Sequence, residues 1–137
     1  MSKSDAAVID KLALIEIKDK KILVTRSHGK DAWYMPGGKR ELGETDHQAL
    51  CREVLEELNV VLDPTQLTYY GTFEAQAHGK PAGTLARLTC YTGPYQGETT
   101  ASAEIAEIAY FAYDQRQQVG PTGQLIMDDL KAKGLIK

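Results

Sequence analysis

One segment between residues 36 and 60 constrains this chain more than any other, because it joins a glycine turn to a helix with clustered carboxylates. The segment opens with Pro36 and the pair Gly37 and Gly38, and it ends at Val60. Charged residues recur within it at fixed offsets. They are Glu44, Arg52, Glu53, Glu56 and Glu57.

The helix in this segment has clear boundary signals. Thr45 followed three residues later by Gln48 is a capping box, and Asp46 suits the positive end of the helix dipole. Asn59 tolerates the left-handed conformation that closes a helix. The pattern therefore predicts a helix of about 13 residues from Asp46 to Leu58.

The helix is amphipathic. Leu50, Val54 and Leu58 lie four residues apart and form an apolar stripe that can pack on a sheet. Three glutamates are related by spacings of three and four, so we expect them to share the opposite, outward face. They are Glu53, Glu56 and Glu57.

Neighbouring carboxylates repel one another unless a positive charge lies among them. A divalent cation is the simplest solution, and Mg²⁺ prefers oxygen ligands from carboxylates, water and substrate phosphates. Mn²⁺ could substitute for it. The alternative is a solvated acidic helix face, but the upstream glycine turn and Glu44 favour a metal site.

The segment closely resembles the signature of the Nudix hydrolase family. That signature is Gly, five residues, Glu, seven residues, Arg-Glu, an apolar residue, any residue, Glu-Glu, any residue, Gly and an apolar residue. This chain fits it from Gly38 to Val60 except at Asn59, which stands where the family has Gly. The departure is conservative, because Asn also adopts the left-handed conformation.

The resemblance implies roles for the acidic residues. Glu56 and Glu57 are expected to be the main Mg²⁺ ligands, and the carbonyl group of Gly37 is expected to add another. Glu53 is either a further ligand or the general base that deprotonates the attacking water. The base could instead be an acidic residue outside the signature, and the candidates are Glu98 and Glu104.

The resemblance also assigns supporting and substrate contacts. Arg52 is expected to orient the catalytic carboxylates by ion pairing, while Glu44 supports the loop or a second metal. Lys39 matches a family position that often touches phosphate, and Arg26, at the end of the second expected strand, is expected to point to the same region and bind phosphate. Aromatic residues could stack on the base or other leaving group. They are Tyr34 and Phe73, with Trp33 and Tyr70 as further candidates.

The family resemblance implies Mg²⁺-dependent cleavage of a phosphoric anhydride in a nucleoside diphosphate linked to another group. A short single-domain chain with Lys39 after the glycines most resembles the family members that cleave nucleoside triphosphates, including oxidised ones, to a monophosphate and pyrophosphate. ADP-ribose and nucleotide sugars are alternatives, although Gln76 stands where ADP-ribose enzymes carry Pro. A nucleotide sensor without catalysis and an isoprenoid diphosphate isomerase also remain open.

The rest of the chain alternates strand-like runs and turns. The expected strands are Val8 to Lys18 and Lys21 to Arg26, paired through Asp19-Lys20, then Tyr69 to Gln76, Thr84 to Thr92 and Ile105 to Tyr113. A second helix is expected after Pro121-Thr122, ending near Gly134, with Leu125, Ile126 and Leu130 facing inward. This order predicts an α/β (α+β) fold, and the resemblance implies an α/β/α sandwich with a mixed β-sheet.

Length and charge fit this interpretation. The 137 residues predict a single domain over 1–137. A net charge of −3 and a pI near 5.6 argue against a nucleic-acid polymer as partner, so a small nucleotide is expected. The sequence shows no long apolar run, which predicts a cytoplasmic protein without membrane contact. The resemblance suggests a homodimer.

Overall fold

A computed structural model describes residues 7–137, and residues 1–6, the start of the expected domain, lie outside the described residues. The strands are β1 Val8–Leu14, β2 Ile17–Lys18, β3 Lys21–Ser27, β4 Gly37–Lys39, β5 Val61–Leu62, β6 Thr68–Gln76, β7 Leu85–Thr92, β8 Tyr95–Gln96 and β9 Ile105–Phe111. The helices are α1 Asp46–Leu58 and α2 Pro121–Ala132, with short 3-10 helices at Pro64–Gln66 and Tyr113–Gln118. Among these residues, no helix is both long and apolar enough to cross a membrane.

The central sheet is mixed, as predicted. Its strand order is β4-β1-β7-β6; β1 and β7 are parallel, whereas β4 and β6 pair antiparallel to their neighbours. A second, antiparallel sheet has the order β2-β3-β9, and β5 pairs with β8. The fold is therefore a mixed α/β arrangement of sheets and two helices.

The first predicted hairpin is only partly correct. Asp19 and Lys20 have φ angles of 53° and 59°, so the turn between β2 and β3 has the left-handed geometry that hairpins favour. However, residues 8–18 do not form one strand. The backbone N–H of Leu14 donates to Pro36 and that of Ile15 to Tyr91, and the chain then leaves the central sheet for the second one.

Each face of the central sheet is covered by a helix. On β1, Leu12 and Leu14 pack with the apolar stripe of α1, while Ala13 and Ile15 pack with buried residues of α2. All four are at most 3% exposed. Such a run, apolar on both faces of the strand, is what a sheet between two helix layers requires.

Both long helices lie where the sequence predicts them, with one error. Helix α1 has its capping box and ends at Asn59 with φ 59° and ψ 35°, so its predicted bounds are confirmed. In α2, Ile126 and Leu130 are fully buried, but Leu125 is 39% exposed and does not face inward. Consecutive helical residues differ by about 100°, so Leu125 cannot share the face of both others.

Candidate metal and phosphate site

The site is built on the glycine pair, which forms part of strand β4 against β1. Gly37 is opposite Ala13 and has a φ of 142°, a conformation that side chains disfavour. A Cβ atom on Gly37 would lie 1.9 Å from the carbonyl oxygen of Leu12, and one on Gly38 would lie 2.5 Å from the carboxyl carbon of Glu53. Both glycines are therefore needed for close approach, one to the sheet and one to α1.

Glu57 is a buried carboxylate, only 6% exposed. The backbone N–H of Gly37 donates to its Oε1 atom at 3.0 Å. Burial raises the pKa of Glu57 from 4.5 to about 8, with Glu104 and Glu53 adding to the shift and the Gly37 hydrogen bond opposing it. The expectation that Glu57 lies on an outward face is wrong, because α1 turns this residue toward β4.

Three carboxylates meet in front of the glycine pair. Oxygen atoms of Glu53, Glu57 and Glu104 all lie within 4.8 Å of one another. Glu104 is brought there from outside the signature by backbone hydrogen bonds on each side of it: Ser102 donates to the carbonyl oxygen of Glu57 at 3.0 Å, and His28 donates to that of Glu104 at 2.8 Å. The structure thus unites a candidate base with the signature helix.

This group fits a hard divalent cation. Burial raises the pKa of Glu53 as it does that of Glu57, although Arg52 opposes the shift. The folded chain alone therefore disfavours full ionisation of Glu53 and Glu57. An ion with a double positive charge would offset both their desolvation and their mutual repulsion, and carboxylate oxygens are the ligands that Mg²⁺ prefers.

Arg52 and Glu44 support this group. Arg52 Nε and Nη2 donate to the two carboxylate oxygens of Glu44 at 2.7 and 3.0 Å, a bidentate pair. Arg52 Nη2 also donates to the carbonyl oxygen of Lys39 at 3.0 Å, and Nη1 reaches Glu53 at 3.2 Å. The pair lowers the pKa of Glu44 and raises that of Arg52. Arg52 therefore ties the glycine strand to α1 and orients Glu53.

Two predicted acidic residues lie outside the three-carboxylate group. Glu56 is exposed and its carboxylate lies 3.4 Å from Arg52 Nη1. Glu56 is rotated by about 100° from Glu57 on the helix, so Glu57 is buried toward β4 while Glu56 stays exposed. Glu98 is exposed and is not among the three carboxylates that meet.

A cleft of about 710 Å³ opens over this group. Glu53, Glu57 and Glu104 form part of its lining, and predicted substrate contacts Lys39 and Tyr34 line it too. Tyr34 is 37% exposed. The cleft is large enough for a nucleotide.

Several predicted substrate contacts do not line the cleft. Arg26 Nε donates to Glu107 Oε1 at 2.8 Å, and its Nη1 donates to the carbonyl oxygen of Lys30 at 2.8 Å, so its side chain is used within the second sheet. The other aromatic candidates pack against the core on the α2 side. They are Trp33, Tyr70 and Phe73.

Sequence reasoning missed three lysines of the cleft, Lys11, Lys30 and Lys80. Lys30 and Lys80 each follow a turn, which gave no reason to single them out. Lys11 did leave a signal, because it is a charged residue that immediately precedes the buried apolar run of β1.

The sequence matches one family model over most of its length. The NUDIX domain model matches residues 11–128. A MutT-like protein of Streptomyces ambofaciens is 26% identical over 98 residues, which are 72% of this chain and 59% of that protein. An 8-oxo-dGTP diphosphatase of Proteus vulgaris is 47% identical over 47 residues, 34% of this chain and 40% of that protein. The chain thus spans less than two thirds of either relative.

Solved structures share the fold. The solution structure of the E. coli ORF135 protein superposes with a TM-score of 0.72 at 24% identity, covering 94% of this chain and 92% of that one. A MutT NUDIX hydrolase from Burkholderia pseudomallei superposes with a TM-score of 0.70 at 22% identity, covering 89% of this chain and 96% of that one. A UDP-X diphosphatase superposes with a TM-score of 0.68 at 20% identity, covering 94% of this chain and 64% of that one. At these identities the similarity concerns the fold alone.

Proposed function

The chain belongs to the Nudix hydrolase family, and we propose that it is a Mg²⁺-dependent enzyme that cleaves a nucleoside triphosphate to a monophosphate and pyrophosphate. The observation that carries this proposal is the meeting of Glu53, Glu57 and Glu104 in the cleft, within 4.8 Å of one another. Such a group of carboxylates beside a glycine strand suits metal-assisted hydrolysis of a phosphoric anhydride.

Glu53 and Glu57 would hold the ion, Glu104 lies beside them, and the carbonyl group of Gly37 is the further ligand that the family resemblance implies. When bound, Mg²⁺ would neutralise charge on the non-bridging phosphate oxygens and lower the pKa of a bound water. Glu56 lies outside this set on geometric grounds, because its carboxylate faces Arg52 and solvent.

The carboxylates have different environments and therefore different tasks. Glu57 is buried and receives the Gly37 N–H, which suits a fixed ligand. Glu53 is held by Arg52 at 3.2 Å. Glu104 is exposed to the cleft, so we assign to it the acceptance of the proton from the attacking water.

Two observations favour a nucleoside triphosphate as the substrate: the named activities of similar proteins, and the positive charge of Lys39 in the cleft. Relatives of this chain include a MutT-like protein and an 8-oxo-dGTP diphosphatase, and Lys39 lines the cleft beside the carboxylates. Nucleotide sugars are the competing substrates, but the UDP-X diphosphatase is similar in fold only. A comparison of canonical with oxidised nucleoside triphosphates would show whether the enzyme prefers an oxidised base.

The proposal is tested by incubating the purified protein with a panel of nucleotides, with and without Mg²⁺, and identifying products by mass. The panel includes canonical and oxidised deoxynucleoside triphosphates, ADP-ribose, nucleotide sugars and dinucleoside polyphosphates. We expect Mg²⁺-dependent release of pyrophosphate from a triphosphate. Cleavage of only ADP-ribose or a nucleotide sugar would overturn the substrate assignment, and no cleavage despite confirmed Mg²⁺ binding would favour a nucleotide sensor.

A further inference from the structure

Lys11 lies on the face of β1 that borders the cleft. Side chains alternate along a strand, so Lys11 shares this face with Ile9 and Ala13. Ile9 and Lys11 line the cleft, while Ala13 belongs to the core on the α2 side. Lys11 is therefore a partly buried cation at the inner edge of the cleft. An apolar residue there would avoid the free-energy cost of removing a charge from water.

Lys11 is also directly opposite another lysine. In the antiparallel pairing of β1 with β4, Lys11 and Lys39 are register partners. Opposite residues of such a pair have Cβ atoms about 5 Å apart, and like charges at this distance destabilise the sheet. Both lysines line the cleft, so their charges face the same space.

No internal ion pair offsets this repulsion within the described residues. Across residues 7–137, neither Lys11 nor Lys39 takes part in a salt bridge with a carboxylate within 4.0 Å. Burial and the proximity of Lys39 lower the pKa of Lys11, and Glu57 and Glu53 oppose this shift. The ammonium group is thus near the carboxylates without being paired to one of them.

We propose that Lys11, acting with Lys39, binds the pyrophosphate end of the substrate and so selects nucleotides with a full triphosphate chain. The inference rests on the proposed function, since it assigns a residue to the same cleft. A triphosphate carries about four negative charges, counted as one for each inner phosphate and up to two for the terminal one. A single Mg²⁺ cancels at most two of them, so a triphosphate keeps more negative charge than a sugar-linked diphosphate and gains more from two unpaired lysines.

The test compares Lys11→Met, Lys11→Arg and Lys131→Met with the wild-type protein. Lys131 is an exposed lysine of α2 that does not line the cleft, so its variant controls for the loss of one charge. The probe is inorganic pyrophosphate in the presence of Mg²⁺, titrated calorimetrically, with a nucleoside monophosphate as the second ligand. Thermal unfolding of each metal-free variant is measured in parallel.

We expect Lys11→Met to weaken pyrophosphate binding about tenfold or more, as is usual for the loss of a charged hydrogen-bond donor, and to leave monophosphate binding unchanged. Lys11→Arg and Lys131→Met should bind pyrophosphate within about threefold of wild type. Because Lys11→Met relieves the repulsion with Lys39, its melting temperature should not fall.

Two results would overturn the inference. One is unchanged pyrophosphate affinity in Lys11→Met, and the other is an equal loss of affinity for pyrophosphate and monophosphate. A lower melting temperature with unchanged affinity would assign Lys11 a structural role instead. Failure of the proposed function is distinguishable, because the nucleotide panel would then show no triphosphate cleavage whatever Lys11 does in the binding assay.

Discussion

Gly38 and the carboxyl group of Glu53 are in such close contact that a Cβ atom on Gly38 would lie 2.5 Å from the Glu53 carboxyl carbon. The neighbour that would have to move is the end of a flexible side chain. Gly38→Ala should therefore fold, but it should displace Glu53 from the three-carboxylate group. We expect a fall in Mg²⁺-dependent kcat of tenfold or more, as is typical when a ligand is misplaced, with little change in melting temperature.

The adjacent glycine provides the contrasting case. At Gly37 the added Cβ would meet the backbone oxygen of Leu12 at 1.9 Å, and the φ of 142° disfavours any side chain. Gly37→Ala should cost roughly 3 kcal/mol or more of unfolding free energy, measured by urea denaturation. Equal stability of the Gly37→Ala and Gly38→Ala proteins would contradict the described geometry.

Arg52 should act through its neighbours. Arg52→Lys keeps the charge but loses the bidentate geometry toward Glu44, which guanidinium alone provides. We expect a fall in kcat of about 10- to 100-fold with KM for the nucleotide little changed, because Arg52 orients ligands rather than binding substrate. Steady-state kinetics at saturating Mg²⁺ test this, and a change confined to KM would argue for direct substrate contact.

The pH dependence of stability should report the buried Glu57. Its pKa is raised from 4.5 to about 8 in the folded protein, so the folded state binds this proton more tightly than the unfolded state does. Stability of the metal-free protein should therefore fall as the pH rises from about 4.5 to about 8, by at most about 1.4 kcal/mol for each pH unit. Glu57→Gln removes the titration and should flatten the curve measured by urea denaturation. The same slope in both proteins would contradict the raised pKa.

The proton acceptor can be identified with a matched pair of glutamates. Glu104→Gln should lower kcat by 10²-fold or more, the usual contribution of a general base. Glu98→Gln is the control, because Glu98 is an exposed acid outside the carboxylate group. Product formation from a nucleoside triphosphate is measured for both. Full activity of the Glu104→Gln protein would contradict its assignment as the proton acceptor.

Much of the fold could be predicted from local signals. The capping box and Asn59 define α1 to the residue because both ends are set by interactions within a few positions. The break after Leu14 could not be predicted, since it depends on hydrogen bonds to the distant Pro36 and Tyr91. The short strands β4, β5 and β8 likewise depend on their partners rather than on their own composition.

In the candidate site, too, some features follow from local sequence signals and others from distant contacts. The signature residues are visible as a pattern, but which of them meet depends on how α1 is rotated against β4. That rotation buries Glu57 and leaves Glu56 exposed. Lys11 enters the cleft through strand pairing across about thirty residues of chain, which spacing within the sequence cannot reveal.

The central claim is that Glu53 and Glu57 form the Mg²⁺ site of a hydrolase, with Glu104 beside them. Its most direct test is pyrophosphate release from a nucleoside triphosphate by the wild-type, Glu57→Gln and Glu56→Gln proteins across a Mg²⁺ titration. We predict that Glu57→Gln abolishes Mg²⁺-dependent turnover while remaining folded, and that Glu56→Gln stays within about tenfold of wild type. A Glu57→Gln protein with full activity would contradict the metal assignment.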